Sequence, residues 1–214
     1  MPHDHHDHDA LSPSGHPYRP DLDTDLTYWQ TMEIAMRELL IEKGHTTSAE
    51  ITGQIDAMDS RSPANGAKVV ARAWCDPKFR EALLADASAA SRDMGFDIGP
   101  MKLIAVENTD EVHNIIVCTL CSCYPRNLLG LPPDWYKTRA YRSRTVRDPR
   151  SVLAEFGVTL PETTTVRVHD STADMRYIVI PARPSGTEGL SQDALAALVT
   201  RDSMIGTGLV KSPS

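Results

Sequence analysis

Three of the chain's four cysteines fall within six residues, in Val117-Cys118-Thr119-Leu120-Cys121-Ser122-Cys123-Tyr124, and no other stretch limits the fold as much. Whatever surrounds it must deliver three sulfurs to nearly one point. Cys118 and Cys121 form a CxxC, but a thiol–disulfide pair sits alone at a helix start, where the helix dipole lowers the first thiol's pKa. Here Cys123 crowds the second thiol and Pro125 follows two residues later. Structural zinc needs four closed ligands, and the available extras, Cys75 and His113, repeat no second CxxC. Buried inert thiols are a third reading, although a short loop of Thr, Ser, Tyr and Pro does not follow core periodicity. The fourth is a transition metal held by all three soft thiolates. Backbone nitrogens within Cys121-Ser122-Cys123 could then reach the same ion and leave one coordination position open.

The rest of the composition excludes several function classes. A chain of 214 residues with 41% hydrophobic content can bury one sizeable core with an appendage. Its net charge of −7 argues against a binder of nucleic-acid backbone. The local run Arg139, Arg142, Arg144, Arg147 and Arg150 reads as a solvated or partner-facing helix. No apolar stretch approaches the roughly 18 residues of a membrane span, and no secretory signal opens the chain, so no membrane contact and a cytoplasmic location are expected. Ser122 lies in no GxSxG elbow, and no GxGxxG or GxxxxGK[ST] loop suggests a nucleotide.

Residues 1–20 hold five of the eight histidines among Asp, Pro, Ser and Gly, which predicts a disordered His/Asp-rich tail. Such a tail is either inert or a weak site for a divalent ion. Residues 21–75 read as a helical arm. Its first helix carries Leu22, Leu26, Trp29, Met32, Met36 and Leu39 at three- and four-residue steps and ends at Gly44. Thr47-x-x-Glu50 is a capping-box signature for a second helix, which stops before Ser60-Arg61-Ser62-Pro63. Residues 64–74 continue helically.

Asp76-Pro77 restarts the chain as residues 76–206, a metal-binding α+β domain, with 207–214 as a flexible tail. One helix is expected from there to Gly95, with Phe79, Leu83, Leu84 and Ala87 inward, and Cys75 reads as a plain buried thiol. The apolar runs 101–107 and 112–119, divided by Asn108-Thr109-Asp110-Glu111, predict two strands paired through a turn. The cysteine loop therefore leaves a strand end. Asp148-Pro149 caps a short helix, 166–169 and 176–180 supply strands, and Ser191 caps a last helix. Helices first and strands interspersed with helices afterwards make the class α+β.

The segment Cys118 to Tyr124 resembles the metal-binding loop of the nitrile hydratase α subunit in its cobalt form; the iron form carries Ser at the place of Thr119. The flanks Val106-Glu107-Asn108-Thr109, Leu131-Pro132-Pro133-Asp134-Trp135-Tyr136-Lys137, Tyr141-Arg142-Ser143-Arg144, Arg183-Pro184-Ser185-Gly186-Thr187 and Thr200-Arg201-Asp202-Ser203-Met204-Ile205-Gly206 are similar to that family as well. The resemblance runs from about residue 25 onward. It implies a helical arm followed by a layered domain with β-sheets between helices. It implies a non-corrin Co(III) ion, with Fe(III) as the lesser alternative, bound by the thiolates of Cys118, Cys121 and Cys123 and by the main-chain nitrogens of Ser122 and Cys123.

The same likeness makes Cys121 a sulfinic and Cys123 a sulfenic acid, the two being the catalytic cysteines, and makes a small-molecule nitrile the substrate. Oxidised sulfurs need charge-assisted donors. In the family these are arginines of a β-type partner subunit, as one chain or split in two. Arg126 and Tyr124 are expected to line the substrate pocket. Arg126 departs from the tryptophan usual there, and Gly99 sits about where iron-type members place a pocket glutamine. A guanidinium in place of indole suits a large polar or nucleoside nitrile, or an anion. The metal-bearing γ subunit of thiocyanate hydrolase, which carries Arg there, is thus one alternative, and a non-catalytic cobalt-binding module, suggested by the His/Asp tail, is another.

Overall fold

The structure, a computed structural model, describes residues 26–213. The His/Asp-rich tail expected over 1–20 lies outside the described residues, as does the start of the arm through residue 25. The chain divides into two compact units between Ser60 and Arg61.

The first unit is a pair of helices, α1 (Tyr28–Glu42) and α2 (Ser48–Asp59). Each begins in a reciprocal capping box, Thr27 with Gln30 and Thr47 with Glu50, in which the threonine hydroxyl takes the N3 amide and the N3 side chain takes the cap amide. No residue of either helix is buried. The apolar stripe read from the sequence therefore stands uncovered, with Trp29 76% exposed and Met36 56%.

The second unit starts with α3 (Pro63–Cys75), which the sequence reading grouped with the arm. The arm stops at residue 60 because α3 belongs to the core: Ala67, Val69, Val70, Ala71 and Ala73 are buried on it. Gly66 lets two neighbours close in, since a Cβ there would stand 2.2 Å from Leu129 Cδ2. Next come α4 (Pro77–Ala85) and α5 (Ala87–Asp93). The sequence reading ran these as one helix, but the Asp86 side chain accepts from the Ala89 amide and starts a new one, leaving Leu84 exposed. After β1 (Lys102–Glu107) and β2 (Val112–Val117) follow α6 (Arg126–Leu129), a 3-10 turn (Asp134–Lys137), α7 (Arg139–Arg147), α8 (Pro149–Glu155), β3 (Thr165–Asp170), β4 (Met175–Ile180), α9 (Gln192–Leu198) and α10 (Arg201–Ile205). No described helix is long and apolar enough to cross a membrane.

β1 and β2 were expected to pair with each other; instead each takes a distant parallel partner. β1 pairs with β4 from Lys102↔Met175 to Glu107↔Ile180, and β2 with β3 from Val112↔Thr165 to Val117↔Asp170. The connecting Asn108 accounts for this, because its side-chain oxygen accepts from the Asn114 amide while its own N–H continues to Ile180 O. The chain thus passes from one sheet to the next. α4 and α5 pack on β1, α7 on β2 and α8 on β3, so the two small sheets lie between helices and the α+β layering holds. Residues 113–117 of β2 are all buried, the continuous pattern of a parallel strand covered on both faces.

A buried polar chain ties β2 to α10. His113 Nε2–H donates to Gly206 O at 2.7 Å, and Asn108 Nδ2 stands 3.4 Å from His113 Nδ1. His169 Nε2 donates to Asn114 Oδ1 at 2.8 Å. Burial lowers the pKa of both imidazoles and so favours their neutral form. Gly206 has φ +90°, and a Cβ on it would lie 2.0 Å from Asn114 O, so only glycine permits this approach.

Candidate metal centre

β2 carries the chain, fully buried, to Val117, and Cys118 follows at once with its side chain equally buried. Polar Thr119 and Ser122 then take the loop outward: Leu120 is 87% exposed, Cys121 is exposed and Cys123 is partly covered. Tyr124 and Pro125 return to the interior and start α6. The excursion brings the three sulfurs together. Cys118 Sγ and Cys121 Sγ are 3.5 Å apart, Cys121 Sγ and Cys123 Sγ 3.1 Å, and all three lie within 4.8 Å of one another. No disulfide joins them. Two thiolates bound at right angles to one ion at about 2.3 Å stand about 3.3 Å apart, so the observed spacings fit a single metal. Among the described residues no other group of His, Cys, Asp and Glu converges in this way. Cys75 is exposed at the end of α3, contrary to its reading as a buried thiol, and His113 faces Gly206, so the extra ligands a zinc site would need are elsewhere.

Three side chains from three elements hold the loop. Asp170, the last residue of β3, accepts from the Thr119 amide at 2.9 Å and from its hydroxyl at 2.6 Å. Arg142 on α7 donates through Nη1 to Cys121 O at 2.7 Å and to Thr119 O at 3.5 Å. Tyr136 donates its phenol to Cys123 O at 2.8 Å. Sequence reasoning missed all three as functional residues. Arg142 was absorbed into the arginine run, and the signal available for Asp170 was its place at the end of a strand running beside the one that leads into the loop. Behind them an aromatic cluster of Tyr124, Trp135, Tyr136, Tyr141 and Phe156 packs in edge-to-face and tilted pairs, with Tyr141 OH donating to Ile116 O at 2.6 Å.

The thiols are not equivalent. Cys121 is lowered to about 7, first by its hydrogen bond with Cys123 and then by the Ser122 backbone. Cys123 is raised to about 12, first by burial and then by the two neighbouring sulfurs. One proton is thus held toward Cys123 and the thiolate forms first at Cys121. The three sulfurs and the peptide nitrogens between them make a soft, anionic donor set able to hold a transition metal.

The expected pocket residues separate. Arg126 is exposed at the first position of α6, two residues after the loop, and its side chain makes no hydrogen bond or ion pair. Tyr124 is only 3% exposed and packs against Tyr136, so it props the loop from inside and does not line an open pocket. Burial raises its hydroxyl well above the usual range. Gly99 has φ +69°, and a Cβ there would meet Asn127 Nδ2 at 2.7 Å, so Asn127 occupies the space a side chain at 99 would need.

The family model for the nitrile hydratase alpha chain matches residues 27–208. The low-molecular weight cobalt-containing nitrile hydratase subunit alpha of Rhodococcus rhodochrous is 50% identical over 184 residues, covering 84% of this chain and 88% of that protein. The thiocyanate hydrolase subunit gamma of Thiobacillus thioparus is 39% identical over 201 residues, 87% of this chain and 82% of the relative. The solved structure of a double mutant of the Fe-type nitrile hydratase from Comamonas testosteroni Ni1 superposes with a TM-score of 0.79 at 44% identity, covering 89% of this chain and 94% of the other. These matches span the helical arm, the sheets and the cysteine loop alike, and the chain belongs to the nitrile hydratase alpha-chain family of enzymes.

Proposed function

We propose that this chain is the α subunit of a cobalt nitrile hydratase and adds water to a nitrile to give the amide. The observation that carries the reading is the convergence of Cys118, Cys121 and Cys123 at a strand end, on a loop that has Thr119 where iron forms carry serine. In this reading the three thiolates and the backbone nitrogens of Ser122 and Cys123 hold non-corrin Co(III). The ion, when bound, supplies Lewis acidity for a nitrile or a water at its open position.

The protein residues divide the remaining work. Cys118 anchors the ion from the buried side, while Cys121 is exposed and Cys123 partly covered, both within reach of dissolved dioxygen as the oxidant that would take them to the sulfinic and sulfenic acids. The Cys123 sulfenate is the group placed to act as nucleophile or base. Arg126, exposed and unpaired beside the loop, gives the pocket mouth a cationic wall and favours large polar nitriles. A β-type partner subunit covers the exposed loop and supplies donors to the oxidised sulfurs, and the uncovered stripe with Trp29, Met32 and Met36 is the surface on which the arm grips it. The reducing cytoplasm suits a chain whose cysteines are kept for metal.

Arg126 favours one further reading, hydrolysis of thiocyanate, because a free guanidinium is suited to an anion. The deciding experiment produces the chain in cobalt medium with its neighbouring gene products, and assays amide from nitriles against carbonyl sulfide from thiocyanate. Amide with about one cobalt per α chain supports nitrile hydration; carbonyl sulfide alone moves the assignment to thiocyanate. A chain that holds neither cobalt nor iron overturns both.

A further inference from the structure

Arg142 spends its charge on the main chain. Its Nη1 donates to Cys121 O at 2.7 Å and to Thr119 O at 3.5 Å, while Arg144 of the same helix takes the ion pair with Glu155 of α8. Its Nε is buried with no acceptor. Arginine-to-carbonyl contacts recur in this chain, at Arg92, Arg150, Arg176 and Arg183, so the type of contact is common. The Cys121 oxygen is not an ordinary one, however. It shares a peptide plane with the Ser122 nitrogen, and resonance couples the two atoms.

The chemistry of that plane changes when the nitrogen binds a metal. A peptide nitrogen ligates as an anion, its proton leaving to solvent, and the negative charge spreads over the N–C–O unit onto the carbonyl oxygen. For Ser122 that oxygen is Cys121 O, the atom Arg142 already holds. We infer that Arg142 is a positioning residue for the metal: its guanidinium compensates the charge that the Ser122 nitrogen acquires as a ligand, and so locks the nitrogen in its ligating form. This rests on the proposed function, in which that nitrogen is a ligand. Tyr136 supplies the internal contrast. Its neutral phenol donates to Cys123 O, and the nitrogen sharing that peptide plane belongs to Tyr124, which is no ligand. Of the two peptides expected to become anionic, the one whose oxygen is Cys121 O has a full positive charge against it at 2.7 Å.

The test uses the cobalt-loaded complex of the full chain with its β-type partner, and compares Arg142→Gln, Arg142→Lys and Arg144→Gln with the parent. Cobalt per chain, the rate of cobalt release to EDTA, the position of the sulfur-to-cobalt charge-transfer absorption and the melting temperature are read on each. Arg142→Gln is expected to release cobalt at least about tenfold faster and to displace the absorption. Arg142→Lys is expected to restore part of both effects, and Arg144→Gln, which loses only the exposed ion pair with Glu155, to leave the absorption at the parental position. Parental absorption and release in Arg142→Gln overturn the inference. So does cobalt loss in all three variants that follows the melting temperature while the absorption stays fixed, which marks a structural role. A parent complex with neither cobalt nor iron overturns the proposed function itself, and is seen before any variant is made.

Discussion

Asp170 and Thr119 are joined twice, by the Thr119 amide and by its hydroxyl, each to a different oxygen of the same carboxylate. The pair couples the end of β3 to the first turn of the cysteine loop. Asp170→Ala removes both acceptors and frees the loop on one side. Because the pair is open to solvent, the loss of fold stability is expected to be about 1 kcal/mol. Cobalt content after dialysis should fall more sharply than the melting temperature, and metal analysis beside a thermal melt checks this.

Cys118 is the sulfur that no rearrangement of the loop can replace, since it sits fully buried at the strand end. Cys118→Ala is expected to abolish cobalt retention. Peptide mass spectrometry of residues 118–123 in the parent should show two oxygens added on Cys121 and one on Cys123, and neither addition in this variant.

Arg126 is exposed and unpaired, so replacing it should leave the fold within about 0.5 kcal/mol of the parent. Arg126→Trp is expected to move the ratio of kcat/KM toward small apolar nitriles and away from polar or anionic substrates. Parallel kinetics on one nitrile of each kind reads it, and an unchanged ratio would show that residue 126 does not face the substrate.

His113 and His169 set an acid limit on stability. Burial lowers both below the ordinary value of 6.5, so the unfolded chain binds more protons than the folded one once pH drops under that value. Stability is therefore complete above about pH 6.5 and is lost as pH falls toward the folded-state values. His113 contributes a slope of at most about 1.4 kcal/mol per pH unit, and the less deeply buried His169 less. Melting temperatures measured from pH 7.5 to 5 should fall in this window, and His113→Gln should flatten the curve.

The parts of this architecture that local chemistry dictates were readable before any coordinates. Thr47 with Glu50, Asp76 with Pro77 and Ser191 each announce a helix start through backbone amides that need an acceptor, and each helix begins there. The loop's departure from a strand end follows in the same way from the apolar run before Cys118. Partnering was not readable. The run at β1 states that it is a strand and carries no mark of whether Val112 or Met175 will lie beside it. Tyr124 shows the same limit on the scale of one side chain: adjacency to Cys123 suggested the pocket, yet its ring enters the core because Tyr136 offers it a packing surface. Arg142 looked like one arginine among five, since its target is a carbonyl oxygen and carbonyls leave no trace in a sequence.

The parallel pairing of β2 with β3 sets Val117 opposite Asp170 at one shared edge. Successive residues of a strand point to opposite sides, so inserting a single amino acid within β3 would turn the carboxylate away from Thr119 and unhitch the loop. A longer insertion at the exposed residues 161–163, outside either ladder, would leave that hitch untouched. Descendants of this gene can therefore vary in length across that one short stretch while counting residues strictly along the strand that follows it.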